Sequence, residues 1–198
     1  MKHIAILLAA ALTGCASLPG SEPPHYDYAQ QAVIAPGFPV ERVDQPAGYD
    51  FVDTERLVSN QSYEDGRGVA RMRDFGVGWH TTEGGTSVVS VVFREVDSPA
   101  YMHPFAPSNG VDLVGPYRVT YLHDAGAYRD VAGEAPGLIP AGAPGCAYGT
   151  FVTITSEDAQ RRFIGSYSQG IECDRLGALE PLDWNIQRRN AYQVLGLH

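Results

Sequence analysis

The sequence predicts a mainly β protein, an antiparallel sandwich or barrel-like domain over residues 49–198 with a C-terminal α-helix. Short runs rich in valine, threonine and aromatic residues recur along this region, and such residues suit a pleated, half-buried surface. Glycine and proline clusters separate the runs, as turns between strands require. Only residues 181–196 place apolar side chains at helical spacing.

The first 14 residues have the features of an export signal. Lys2 supplies a positive charge, and residues 4–12 are continuously apolar, which is far short of the roughly 20 residues that cross a bilayer. The next stretch, Leu12-Thr13-Gly14-Cys15, resembles the lipobox of bacterial lipoproteins. That resemblance implies cleavage before Cys15 and a diacylglycerol, with palmitate-type acyl chains, on the Cys15 thiol. The alternatives are an ordinary signal peptide and a buried helix start with an incidental cysteine.

The same resemblance implies a location. Ala16 follows the cysteine, where an aspartate is the usual signal for retention in the inner membrane. The expected place is therefore the outer membrane, with the domain facing the periplasm and the membrane as a partner through the lipid anchor. Residues 15–48 are rich in proline, which predicts an extended tether. Within it, residues 26–35 are less polar and could form an edge strand.

Charge excludes several functions. The chain without residues 1–14 carries 13 arginines, no lysine and 23 acidic residues, hence a formal charge of −10. A nucleic acid partner is not expected, because phosphate binding needs a basic surface. Without lysine there is no Schiff-base chemistry, no P-loop lysine and no Ser-x-x-Lys acylation site.

The domain contains several predicted strands in order. Residues 57–75 have Asp65-Gly66 at their centre, and Gly84-Gly85 divides residues 77–96. Both patterns indicate hairpins. Residues 116–124 alternate well enough for a further strand.

Cys146 and Cys173 predict a disulfide, since an exported protein folds in an oxidising compartment. The segment between them fits a hairpin in which paired positions sum to 319, so that Cys146 lies opposite Cys173. A strand followed by a helix that begins at Ser156 is the alternative.

The C-terminal helix is predicted over residues 181–196, with Asp183 as N-cap and a glycine at its end. Trp184, Ala191 and Leu195 lie near one face of this helix.

Histidines are the main candidates for chemistry. His80, His103, His123 and Asp124 are the residues from which a metal or acid–base site could be built, although none has the short spacing of a local metal motif. A hydrogen-bonded, half-buried histidine is the simpler interpretation of His80. No cofactor is expected, and a catalytic cysteine is disfavoured because pairing uses both domain cysteines.

One long loop is a candidate binding segment. Residues 98–110 place Tyr101, His103 and Phe105 between predicted strands, and long loops often carry function. Folding over the end of the sandwich as a plug is the alternative.

The function expected from these features is that of a lipid-anchored envelope protein, a non-enzymatic binding or structural module for an envelope protein or the cell wall. The alternative hypothesis is a periplasmic or cell-wall hydrolase with a histidine-centred site.

Overall fold

Two antiparallel sheets and a C-terminal helix form the structure, a computed structural model that describes residues 22–62, 69–97, 108–132 and 137–198. Cys15, Tyr101, His103 and Phe105 lie outside the described residues. The elements in chain order are β1 (His25–Asp27), β2 (Ala32–Ile34), β3 (Arg42–Asp44), β4 (Asp50–Ser62), β5 (Val69–Thr81), β6 (Ser87–Val96), β7 (Gly110–Val114), β8 (Tyr117–Ala127), α1 (Tyr128–Ala132), β9 (Cys146–Thr155), β10 (Arg161–Ile171), a 3-10 helix (Cys173–Ala178) and α2 (Pro181–Val194).

The larger sheet has seven strands in the order β4-β5-β6-β10-β9-β8-β7. The predicted hairpins β4–β5 and β5–β6 are both present, although the Asp65-Gly66 turn of the first lies outside the described residues. Gly84 and Gly85 lie between β5 and β6 with φ of 71° and 117°, a backbone region in which residues with a Cβ are strained. The strand predicted over residues 116–124 corresponds to β8.

The smaller sheet, β1-β2-β3, packs against one face of the larger one, which we call the inner face. Tyr26 stacks on Phe51 with ring centroids 4.5 Å apart, and Phe38 meets Phe93 edge-on at 5.5 Å. Trp79 is fully buried in the same core. This sandwich, together with the C-terminal helix, confirms the predicted fold class.

The domain boundary predicted near Tyr49 is wrong, because residues 25–44 belong to the folded unit. Val33 and Val43 are almost completely buried. The prolines of this segment mark tight connections, as where the Phe38 N–H donates to the Ala35 carbonyl at 3.1 Å. High proline content here reflects turns between short strands and not an extended tether.

Helices and one irregular segment cover parts of both faces of the seven-stranded sheet. On the outer face, α1 and residues 137–145 pack around Val88. On the inner face, the C-terminal end of α2 and the residue that follows it insert Ala191 and Leu195 into the core. In the part of the chain that the structure describes, no helix is both long and apolar enough to cross a membrane.

The start of α2 differs from the prediction. Glu180 is the N-cap, and the Asp183 carboxylate accepts a hydrogen bond from the Glu180 N–H at 2.8 Å. Pro181 explains the shift, because proline is favoured at the first helical position, where its missing N–H costs nothing. Asp183 therefore lies in the first turn of the helix and not at its cap.

Residues 146–171 form the predicted hairpin in a different register. Paired positions sum to 317, so that Cys146 lies opposite Ile171. The turn causes this shift: the Ser156 N–H donates to the Arg161 carbonyl at 2.8 Å, and Ala159 takes a positive φ of 56°. A shift of two keeps every side chain on its predicted face.

The predicted disulfide is present, with the Cα atoms of Cys146 and Cys173 5.1 Å apart. The predicted register requires Cys173 to lie in the second strand of the hairpin. In the structure, Cys173 instead begins the 3-10 helix. In the chain-entropy account, closing a loop of this length stabilises the protein by about 3.5 kcal/mol.

Because the Phe38 ring fills space between the two sheets, Phe38→Ala is expected to lower the free energy of unfolding by about 3–5 kcal/mol. Leu113→Ala is the control, since Leu113 is 84% exposed, and its truncation should change stability by less than about 0.5 kcal/mol. Urea unfolding measures both. If the Phe38 variant unfolded like the control, residues 25–44 would not belong to the core.

Candidate binding cleft

Of the predicted histidine-centred site, the structure describes His80, His123 and Asp124 but not His103, and it does not bring these three together. His80 of β5 and Asp124 of β8 lie in one row across the seven-stranded sheet. Directly paired residues on β6, β10 and β9 fill the row between them. His80 and Asp124 are therefore four strand steps apart, about 19 Å at the usual spacing. His123 directly precedes Asp124, and its side chain projects to the opposite face, because successive side chains alternate.

His80 and Asp124 each have local partners. His80 Nδ1 lies 3.3 Å from the Leu138 carbonyl oxygen, in agreement with the half-buried, hydrogen-bonded interpretation. Asp124 Oδ1 accepts a hydrogen bond from the Ala125 N–H at 2.8 Å. Within the described ranges, no three His, Cys, Asp or Glu side chains are grouped as metal ligands would be.

His123 is part of an aromatic cluster on the inner face. Its ring centroid lies 4.9 Å from that of Trp184, and its Nδ1 lies 3.0 Å from Thr150 Oγ1. Burial lowers the pKa of His123, the positive charge of Arg188 lowers it further, and Asp112 acts in the opposite direction. The environment therefore favours the neutral imidazole, which packs beside the indole.

Next to this cluster, a polar cleft opens at the end of strands β9 and β10. Its volume is about 180 Å³, and it lies between these strand ends, the 3-10 helix and the start of α2. Its lining residues come from all four elements and the segment between the helices: Tyr148, Gln169, Gly170, Ile171, Arg175, Ala178, Leu179 and Asp183.

Two constraints in the sequence form this cleft. The disulfide from Cys173 to Cys146 ties the beginning of the 3-10 helix to the first residue of β9. Pro181 then starts α2 soon after the 3-10 helix ends, so the connection stays over the strand ends. Arg175 and Asp183 are thereby held on the same cleft as opposite charges.

Tyr148 is the aromatic residue of the cleft. Its hydroxyl donates to Gln169 Oε1 at 3.0 Å, and the Trp184 ring meets it edge-on at 5.7 Å between centroids. Burial raises the pKa of Tyr148, and the negative charge of Asp183 raises it further, against the effect of Arg175. The phenol therefore keeps its proton at neutral pH and serves as a hydrogen-bond donor.

A buried glutamine joins α2 to the two strands that line the cleft. Gln187 of α2 is completely buried. Its Nε2 donates to the main-chain carbonyls of Tyr148 and Tyr167 at 3.2 and 3.1 Å. These two bonds fix the helix to the neighbouring strands β9 and β10 at the point where Tyr148 projects toward the cleft.

A second cavity lies on the outer face of the sheet. This open groove has a volume of about 230 Å³ and a mainly apolar lining that includes Leu122, Phe151 and Ile164, with Asp124 at its border. It shares no lining residue with the polar cleft.

Sequence reasoning finds the disulfide but not the cleft that depends on it. Gln169 and Arg175 are not predicted as site residues, and Asp183 is predicted only as a helix cap. The available signal is the combination of Cys173 and Pro181, which confines the connecting segment to the strand ends.

The lowered pKa of His123 predicts a specific loss of stability in acid. The unfolded chain takes up a proton near the ordinary pKa of 6.5, whereas the folded protein does so only at lower pH. The wild type should therefore lose stability as the pH falls below 6.5, and His123→Gln should lose less over the same range. Urea midpoints measured across this range test the difference. Parallel pH profiles of the two proteins would contradict the burial account.

In comparisons with known proteins, no family model, curated protein or solved structure matches this chain.

Proposed function

We propose that the protein is a lipid-anchored component of the bacterial cell envelope whose domain is a non-enzymatic binding module. The lipobox-like stretch that ends at Cys15 supports the anchor. The polar cleft between Tyr148, Arg175 and Asp183 supports the binding role, and it is the single observation on which that role depends.

The chemistry of the cleft suits a polar ligand with mixed hydrogen-bonding groups. Tyr148 presents an apolar ring beside polar groups. Arg175 supplies donors and a positive charge, Asp183 supplies acceptors, and the Gln169 amide has both donor and acceptor atoms. Sugars and peptide units offer matching hydroxyl, amide, amine and carboxylate groups, and a tyrosine with its apolar ring and polar tip suits contact with them.

The size of the cleft limits what it holds. Its volume of about 180 Å³ is below the roughly 300–1,000 Å³ of sites that enclose a whole small molecule. One sugar ring or one amino-acid unit of a larger polymer fits such a space better than a complete cofactor. We therefore take the cell wall, whose strands combine sugars with short peptides, as the partner.

Trp184 offers a direct readout of binding. Trp79 is fully buried in the core, whereas Trp184 is half-buried and touches Tyr148. Soluble peptidoglycan fragments that contain sugar and stem peptide should therefore change the Trp184 fluorescence in a saturable way. Arg175→Gln is expected to weaken binding about tenfold or more, since it removes a charged hydrogen bond worth about 1.5–3 kcal/mol.

Arg189→Gln is the matched control for this titration. Arg189 is exposed on α2 and does not line the cleft, so its variant should bind like the wild type. Equal affinities of the two variants, or no saturable response to any fragment, would contradict the proposed site.

The anchor predicts a defined mass. Protein extracted from membranes without reductant should begin at Cys15 and carry the added mass of a diacylglycerol and further acyl groups, and Cys15→Ser should abolish both cleavage and lipidation. Intact-protein mass spectrometry measures this. A mature N-terminus at another residue, or an unmodified Cys15, would rule out the lipoprotein assignment.

A further inference from the structure

The start of the described chain lies against the β4–β5 hairpin, at one edge of the seven-stranded sheet. The Pro24 carbonyl accepts a hydrogen bond of 2.7 Å from Nη2 of Arg56. Arg56 belongs to β4, which is an edge strand of the seven-stranded sheet. The same guanidinium lies over the Phe75 ring at 4.7 Å, so the contact fixes the N-terminal segment against the inner face of the β4–β5 hairpin.

The chain between the expected anchor at Cys15 and the β4–β5 hairpin is short. Glu22, the first described residue, follows Cys15 by seven positions. Even a fully extended chain spans only about 25 Å over that separation. Since residues 25–44 are folded and do not act as a spacer, a lipid on Cys15 would hold this side of the domain close to the bilayer.

The β4–β5 hairpin exposes apolar side chains. Leu57 is 52% exposed and Val58 is 59% exposed, at consecutive positions of β4. Val58 shares a sheet face with Arg56, because side chains alternate along a strand. Val58 pairs with Arg73 of β5. Two residues further along β4, on the same face, Asn60 pairs with the exposed Arg71.

The hairpin also projects beyond its neighbours. Strand β6 pairs with β5 only from Met72 onward, whereas β4 and β5 remain paired as far as Ser62 and Val69. Arg71 lies in this projecting end, and Leu57 and Val58 lie just behind it, opposite Asp74 and Arg73. Exposed aliphatic side chains next to arginines suit the boundary between headgroups and acyl chains. The aliphatic groups enter the apolar layer there, and a guanidinium such as that of Arg71 stays among the headgroups.

From the reach of the anchor and the exposure of this hairpin, we infer that the β4–β5 hairpin around Leu57 and Val58 rests on the lipid bilayer that holds the anchor. This inference depends on the proposed lipidation of Cys15 but not on ligand binding by the cleft. Leu113 of β7 lies at the opposite edge of the same sheet, six strand steps or about 29 Å away. The β7 edge is therefore expected to face away from the bilayer.

The test uses the full lipidated protein in vesicles of phosphatidylethanolamine and phosphatidylglycerol. An environment-sensitive fluorophore is attached to Val58→Cys and, in a separate protein, to Leu113→Cys. Leu113 is 84% exposed and makes a matched control for an accessible apolar side chain on an edge strand. Lipids that carry a nitroxide quencher near the headgroup report contact with the bilayer.

The label at position 58 is expected to shift its emission to shorter wavelength and to be quenched several-fold more than the label at position 113. If protein that sediments with the vesicles showed equal quenching at the two positions, or none at either, the proposed orientation would be overturned. If the protein failed to sediment, the anchor itself would be wrong, and this inference with it. Binding of peptidoglycan fragments is measured separately and changes neither result.

Discussion

The packing of the three-stranded sheet onto the inner face of the seven-stranded sheet is the interaction on which the rest of the structure depends. Phe38 of the smaller sheet's β2–β3 connection meets Phe93, which in turn lies 5.5 Å from Phe163. Phe163 belongs to β10 and is completely buried. The aromatic contacts thus run from the N-terminal segment to the central hairpin, and Leu195 joins the C-terminal helix to the same core.

This core also determines where the cleft can form. Strands β9 and β10 bury Val152 and Phe163 between the sheets and continue beyond the core to Tyr148 and Gln169. The disulfide and α2 then close the segment after β10 over those strand ends. The cleft is therefore built on the extension of a core hairpin, which holds its polar groups in fixed positions.

The sequence is sufficient for the fold class, the hairpins and the disulfide, because these follow from local patterns. The sequence does not decide between two local structures when both are compatible with the same residue pattern. Proline at positions 36 and 39 is compatible with an extended tether and with turns between short strands, and only the burial of Val33 and Val43 distinguishes them. The hairpin register depends on Ala159 adopting a positive φ, which alanine rarely does.

The candidate site is harder to predict because it depends on strand order. His80 and Asp124 occupy one row of the sheet, yet three strands separate them. No local spacing indicates such a separation. Conversely, Tyr148 and Arg175 line one cleft because a disulfide and a proline return the chain to the strand ends. This proximity depends on the positions of the strands in the sheet, which local sequence patterns do not give.

We propose that the polar cleft is where an envelope ligand binds. Backbone amide NMR shifts, recorded as soluble peptidoglycan fragments are added to the isotopically labelled protein with its disulfide intact, test this claim most directly. Shifts concentrated at Tyr148, Gln169, Arg175 and Asp183 are expected. Shifts concentrated instead at the outer groove around Phe151, or no shifts at saturating fragment, would contradict it.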